Sequence, residues 1–194
     1  MTPKPLPGAV VEPVSLELAW SQCNIYTEGS PPESAHDAWL ELVGIPGARE
    51  AAERFTGCAF TVKSYQVLMS RFPDEIEIPM APLRSVDLIT YVDAAGETQA
   101  LGTGDFEVDE TGLLAVVRPV GRWPETDGSA AAVEIQFTVG YEPEDVPRDA
   151  LWAILLLLGH AFRNREALAD KQQFDMPIGV ESLLRPHRLR LGMA

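Results

Sequence analysis

Cysteine and histidine are scarce in this chain of 194 residues, which has two cysteines and three histidines. Cys23 and Cys58 are too few for a disulfide framework, and no Cys-x-x-Cys or Cys/His spacing indicates a structural metal site. None of His36, His160 and His187 stands in a recognisable catalytic motif. We therefore expect no metal, no cofactor and a reduced folding compartment.

Basic residues are also few, because 15 lysines and arginines accompany 29 acidic residues and the formal net charge is -14. That balance argues against a general nucleic-acid binder, since affinity for phosphates comes largely from Lys and Arg displacing counterions. The charge is uneven: residues 74–145 are strongly acidic, whereas the chain after Glu181 has Arg185, Arg188 and Arg190 and no acid. Such opposite charges suit docking through complementary patches, and they equally suit ordinary solubility.

Long apolar runs are missing. The longest nearly unbroken run, Ala150 to Gly159, is about half of what a bilayer-spanning helix requires, so it predicts a buried helix and no membrane span. The N-terminus lacks the apolar core of a secretory signal. The positions of the apolar helix that we expect to form the core and an assembly face are Leu151, Trp152, Leu155, Leu158 and Phe162.

The spacing of apolar residues changes twice along the chain, from a helical period to strand-like alternation and back. The links between the predicted strands are too short for parallel crossovers, so the sheet should be antiparallel. The pattern predicts an α+β fold: a helical bundle core with an inserted small antiparallel β-sheet region and an extended C-terminal tail. The expected division is a flexible N-terminal arm at 1–12, a single domain at 13–179 with helices at 13–57 and 146–166 and the β insertion at 58–141, and a tail at 180–194.

The second predicted helix starts near His36 and carries three apolar positions expected to face inward: Trp39, Leu40 and Val43. Gly44 and Pro46 then interrupt the pattern, because proline cannot continue a helix without strain. The following residues, 47–55, are therefore either a kinked continuation or a separate helix.

Candidate catalytic groups are weak. His36 suits a helix cap, His160 suits core packing or a helix C-terminus, and His187 reads as part of a surface tail. Neighbouring acids such as Asp109 and Glu110 suit the wet face or turns of strands. No catalytic residue is assigned, and a small hydrolase using His36 or His160 is the enzymatic alternative.

The C-terminal segment differs from these residues, because a structural role within its own domain does not explain its composition. An apolar pair, Leu183 and Leu184, stands beside a proline-punctuated basic cluster that ends at Arg190. This composition is poorly suited to a core, so the sequence favours an interaction tail over packing on its own domain.

A series of short motifs runs along residues 13–190. These are Ser15-Leu16-Glu17, Ala51 to Gly57 (AAERFTG), Ala81 to Val86 (APLRSV), Tyr91 to Gly96 (YVDAAG), Phe137 to Tyr141 (FTVGY), Arg163 to Glu166 (RNRE) and Met176 to Arg188 (MPIGVESLLRPHR). In their order and spacing they resemble those of the head-tail connector, or adaptor, proteins of long-tailed bacteriophages and gene transfer agents.

The resemblance implies a structural protein with no enzymatic activity. Such adaptors form a ring, usually of twelve copies, between the portal and the stopper or tail in the particle neck, assembled in the bacterial cytoplasm. DNA passes through the ring without specific binding, and another neck or tail-completion (stopper) protein is the alternative. The portal-docking residues implied by the resemblance are Leu183, Leu184, Arg185, Pro186, His187, Arg188 and Arg190.

Overall fold

A computed structural model describes residues 2–29, 32–164 and 177–189. The chain divides into two compact units that alternate along the sequence. The β unit comprises the residues up to Val10 together with Thr61–Tyr141, and the helical unit comprises Val11–Phe60 together with the described residues from Glu142 onward. Helices and antiparallel sheets thus confirm the α+β prediction.

The helical unit opens with α1, Leu16–Cys23. Its first turn is capped by the Ser15 side chain, which accepts a hydrogen bond from the Leu18 amide at 3.2 Å, and Asn24 ends it in the left-handed conformation. Both the helix and its position agree with the sequence prediction.

The second helical stretch is continuous through its glycine and proline. It consists of α2 (Asp37–Trp39), a π segment (Leu40–Gly44) and α3 (Ile45–Thr56), with Pro46 in the first turn of α3 and Gly57 as the C-terminal stop. Of the sequence alternatives, the continuation is confirmed. The inward orientation predicted for Val43 is wrong, because the wider π turn disrupts the 3.6-residue period and leaves Val43 55% exposed, while Leu40 stays buried.

The apolar run forms α4, Arg148–Arg163, which contacts α1, α3 and the short helix α5, Ile178–Leu184. A 3₁₀ turn, Arg185–His187, follows α5. The last residues of the helix predicted to reach 166 lie outside the described residues. The buried residues of α4, which form the centre of the helical unit, are Ala150, Ala153, Ile154, Leu157, Leu158 and Gly159.

The β unit contains eight described strands in two antiparallel sheets, whereas the sequence predicted one. The strands are β1 (Lys4–Pro5), β2 (Lys63–Met69), β3 (Ile76–Glu77), β4 (Leu83–Val92), β5 (Thr98–Ala100), β6 (Phe106–Asp109), β7 (Val116–Pro119) and β8 (Val133–Val139). The larger sheet has the order β1-β2-β8-β4-β5 and the smaller one the order β3-β7-β6. In the smaller sheet Ile76 of β3 pairs with Val117 of β7, and both side chains are buried.

Strand β8 is the centre of the larger sheet, where it pairs with β2 on one side and β4 on the other. Its buried residues alternate as expected for a half-buried strand: Val133, Ile135, Phe137 and Val139. At its end, Gly140 has φ 106, and a Cβ there would overlap the Thr61 carbonyl oxygen, so only glycine fits this close approach. The N-terminal segment adds β1 to the sheet through Lys4 and Pro5, which the sequence pattern did not indicate.

Candidate docking surface

The predicted docking segment packs in part on its own unit. Val180 is 2% exposed and Leu184 is fully buried, and α5 contacts α3 and α4. The two side chains lie four residues apart and therefore share one face of α5. Leu184 is thus a core residue of the helical unit, and this spacing was the available sequence signal for it.

The rest of the segment divides by exposure. Leu183 is half-buried, whereas Arg185, Pro186 and Arg188 are exposed. Arg185 donates to the Glu181 carboxylate at 2.9 Å one helical turn earlier. Arg190 lies outside the described residues.

Residues 185–189, here called the C-terminal strap, lie along the end of α3. The Leu189 amide donates to the Thr56 carbonyl at 2.7 Å, and the Leu189 side chain packs over Gly57. The Arg188 guanidinium lies 5.2 Å from the centre of the Phe55 ring, which is a cation–π distance. The strap is therefore attached by backbone, apolar and charged contacts together.

His187 anchors the middle of the strap, which corrects its prediction as a surface residue. Its side chain is 21% exposed, and Nε2 lies 2.9 Å from Asp149 Oδ1, a contact that is an ion pair when the ring is protonated but lacks hydrogen-bond alignment. Burial acts to raise the pKa of the Asp149 carboxyl, but His187 and the Ala150 amide outweigh it, so this pKa lies below its ordinary value.

Cys58 makes a second contact with His187 of the strap. Its Sγ donates to the His187 carbonyl at 3.2 Å. Burial raises the pKa of the Cys58 thiol to about 11, so the thiol keeps the proton that this contact uses.

The residues predicted for the assembly helix occupy different environments. Leu158 is fully buried, Leu151, Leu155 and Phe162 are half-buried, and Trp152 is 56% exposed. Trp152 is therefore no core residue, because it is about 200° around the helix from the buried Ala150 and Ile154. Its exposed ring belongs to the surface that α4 leaves available to another molecule.

Further large apolar side chains are exposed on the helical unit. Leu42 and Val43 on the π segment are 78% and 55% exposed, and Ile178 at the start of α5 is 87% exposed. Exposed apolar side chains favour contacts with other proteins when they are gathered into patches. Leu42 and Val43 are adjacent in the chain and form the start of such a patch.

The two remaining histidines make packing or helix-end contacts. The His36 ring meets the Phe162 ring edge-on at 5.3 Å, and His36 makes no side-chain cap of α2, in contrast to its predicted role. His160 is exposed in the last turn of α4, so the core packing predicted as one alternative is wrong. At this helix end Asn164 donates its side-chain amide to the His160 carbonyl at 2.9 Å. Asp37 supplies the polar contacts at the start of α2, because its carboxylate accepts from the Ser34 amide and the Trp20 indole.

Two classes of feature are missing from the part of the chain that the structure describes. It holds no group of three or more His, Cys, Asp or Glu side chains arranged to bind a metal ion. It also holds no helix that is long and apolar enough to cross a membrane.

Comparison with known proteins gives likeness of fold over the whole chain. A chain in the neck of an empty gene transfer agent (GTA) particle, computed with C6 symmetry, has a TM-score of 0.80 and 22% identity, with 100% of this chain and 99% of that chain covered. The chain has the fold of a GTA neck chain. In the virion of a native GTA particle, a chain matches with a TM-score of 0.76 and 22% identity, again covering 100% of this chain and 99% of its own.

A third structure, the neck of a native GTA particle computed with C12 symmetry, gives a TM-score of 0.63 and 21% identity, covering 96% of this chain and 99% of that chain. No family model matches the sequence, and no curated protein matches it. At this level of identity the likeness establishes the fold alone.

Proposed function

We propose that this protein is a structural head-tail adaptor in the neck of a phage or gene transfer agent particle. It would form a ring, of twelve copies by resemblance, between the portal and the stopper or tail, and it would extend the DNA channel. The carrying observation is the likeness of fold over the full chain to a GTA neck chain, with a TM-score of 0.80. The adaptor-like motifs over residues 13–190 support the same role.

In this proposal residues 13–179 form the body of the ring and residues 180–194 form the portal-docking tail. Trp152 and its neighbours on α4 supply an apolar contact between copies, since a half-exposed tryptophan gains free energy when a partner covers it. Arg185 and Arg188 supply charged contacts to the portal. Leu184 contributes indirectly, because its burial fixes the position of α5 beneath the strap.

The acidity of the chain suits a passage for DNA. A ring built from copies with a formal charge of -14 each repels phosphate, so duplex DNA can slide along it without adhering. DNA is then a passenger, and the ring assembles in the bacterial cytoplasm before the particle is complete.

The test is to mix the purified chain with the portal protein encoded near it and to weigh the complex by native mass spectrometry. About a dozen copies of this chain per portal are expected. A chain that stays separate from intact portal rings across a range of salt concentrations would contradict the adaptor role and favour the stopper or tail-completion role.

A matched pair of variants tests the docking tail. The double variant Arg185→Ala, Arg188→Ala should weaken portal binding about tenfold or more, because each substitution removes a charge-assisted hydrogen bond to the portal. Arg54→Ala, an exposed arginine on α3, is the control and should bind as the unchanged chain does. Equal binding by all three proteins would show that the strap arginines do not dock on the portal.

A further inference from the structure

The β unit contains an open cavity of about 590 Å³ that the docking segment does not use. Its walls are two loops, residues 71–74 and 121–126, with Pro119 at their edge. Three prolines and two aromatic rings line it, together with charged side chains of both signs. A surface of this composition is suited to binding an extended segment of protein.

The aromatic wall of the cavity is held in place by ring stacking and a hydrogen bond. The Phe72 and Trp123 rings stack with their centres 4.7 Å apart and an interplanar angle of 6°, and Tyr91 meets Phe72 edge-on at 5.8 Å. The Trp123 indole N–H donates to the Asp74 carbonyl at 3.2 Å, which joins the two loops. Because the contacts between these rings already restrict them, a ligand that packs on them causes little further loss of side-chain entropy.

Two arginines line the cavity without a partner among the described residues. Arg71 and Arg122 are exposed, and neither forms an ion pair or hydrogen bond with any residue in the described part of the chain. Arg118 in the same unit is different, since it binds both Glu75 and Asp109. In a unit whose charge is mainly acidic, this pair of free guanidinium groups marks a place that attracts carboxylates.

The surroundings favour an acidic protein segment over a nucleic acid. Asp74 and Glu125 line the same cavity and would repel a continuous run of phosphates. A short segment with only one or two carboxylates meets less of this repulsion, and the two arginines can bind its charges while the rings contact its apolar atoms.

This chain carries such a segment. The sequence has three pairs of adjacent acids: Asp74-Glu75, Asp109-Glu110 and Glu144-Asp145. The first pair belongs to the cavity region itself, and Arg118 already binds one carboxylate of each of the first two pairs, Glu75 and Asp109. Glu144-Asp145 remains. Both of these carboxylates are exposed, and no side chain in the described ranges pairs with either.

The conformation of the loop around Glu144 is restricted before any partner binds. It lies between Pro143 and Pro147, its turn is closed by the Asp145 amide donating to the Glu142 carbonyl at 3.0 Å, and buried Val146 anchors it. Prolines restrict the free loop, which lowers the entropy lost when it is bound.

From these two surfaces we infer that Arg71 and Arg122 of one copy bind Glu144 and Asp145 of a second copy. One of the two prolines that flank these acids, Pro143 or Pro147, then packs against Trp123. The two surfaces are different, so the contact is head-to-tail, and a head-to-tail contact produces a ring when the rotation between neighbouring copies closes on itself. The inference deepens the proposed neck ring and rests on it.

The first test uses a synthetic peptide with the sequence of Tyr141–Pro147 (YEPEDVP), titrated into the full chain. The chain has four tryptophans, and the indole N–H signals of a ¹⁵N-labelled sample resolve them by NMR. The Trp123 signal, assigned with Trp123→Phe, should shift saturably, and the other three should not. Arg71→Glu with Arg122→Glu should weaken this binding at least tenfold, whereas Arg54→Glu should leave it unchanged.

The second test is a charge exchange scored by assembly on the portal. Glu144→Arg with Asp145→Arg should impair ring formation, and combining them with Arg71→Glu and Arg122→Glu should restore it, because the pairs are then reversed on both sides. Normal assembly of either charge-reversed double variant overturns the inference.

Other outcomes are equally decisive. An unmoved Trp123 signal, or equal peptide binding by the Arg71→Glu, Arg122→Glu protein, overturns the site. Equal or tighter binding of a short oligothymidylate to the cavity assigns it to nucleic acid instead. Failure of the unchanged chain to assemble on the portal, with the Trp123 shift retained, overturns the neck role and not the site.

Discussion

At the scale of single residues, burial distinguishes two residues of α4 that the sequence predicted to have the same role. Leu158 and Trp152 are both apolar positions of α4, but Leu158 is fully buried and Trp152 is 56% exposed. Their removal should therefore affect different properties of the protein.

We predict that Leu158→Ala lowers the free energy of unfolding by about 2–5 kcal/mol, since it removes buried methyl groups and leaves a cavity. Trp152→Ala should change that free energy far less and instead weaken assembly with other copies. Urea unfolding followed by circular dichroism, together with native mass spectrometry, measures both effects. A stable Leu158→Ala protein would show that this face of α4 is not the core.

Arg49 on α3 is a charged residue that the structure buries. Its side chain is 3% exposed, with Nε 2.9 Å from Glu12 Oε2 and Nη1 2.5 Å from Glu53 Oε2. Burial acts to lower the pKa of Arg49, but the contacts with Glu12 and Glu53 outweigh it, and the net direction is upward. The guanidinium therefore stays charged and links the segment before α1 to α3.

Replacing Arg49 should be costly, because it leaves two carboxylates partly buried without their cation. Arg49→Met is expected to lower the free energy of unfolding by about 3–5 kcal/mol. The control Arg54→Met, an exposed arginine on the same helix, should stay within about 0.5 kcal/mol in the same urea titration. Equal midpoints for the two variants would mean that the Arg49 network adds no net stability.

At the scale of elements, the C-terminal strap is held by a contact that responds to acid. The pKa of Asp149 is lowered in the folded chain, so its stabilising contribution is present at neutral pH, above the unfolded value of about 3.9. The contribution is lost as the pH falls through the lower folded pKa. Protonated Asp149 no longer attracts His187.

We therefore predict that acidification below about pH 4 loosens the strap. The Leu189 amide signal in NMR spectra should move as its bond to Thr56 is lost, while circular dichroism checks that the helices persist. In Asp149→Asn the signal should already be displaced at neutral pH and should show no acid step. An identical acid step in both proteins would assign the transition to other carboxyl groups.

At the scale of the whole molecule, the net charge predicts how the chain behaves when it is mixed with DNA. With a formal charge of -14 and a pI near 4.5, the protein should not retain duplex DNA in a gel-shift assay at low salt, where electrostatic attraction is strongest. A basic DNA-binding peptide serves as the positive control. Retention of DNA by the unchanged chain at micromolar concentration would contradict the passenger model and point to clustered arginines such as Arg71 and Arg122.

The sequence by itself determined the features that depend on neighbours in the chain. The helices near Leu16–Cys23 and Arg148–Arg163 and the buried alternation of Val133–Val139 follow from periods of about 3.6 and two residues. Net charge is likewise a sum over residues. The basic character of the C-terminal segment, which includes Arg185 and Arg188, also follows directly from the sequence.

The tertiary structure alone decided which distant residues meet. The second sheet, the stacking of Phe72 on Trp123, the burial of Arg49 and the attachment of His187 to Asp149 join parts of the chain far apart in sequence. A local period specifies which face of an element is apolar, but the surface that covers it comes from elsewhere in the chain. From the sequence, Leu184 was therefore predicted to contact another protein. In the folded chain it is buried, and its helix α5 contacts α3 and α4 of the same chain.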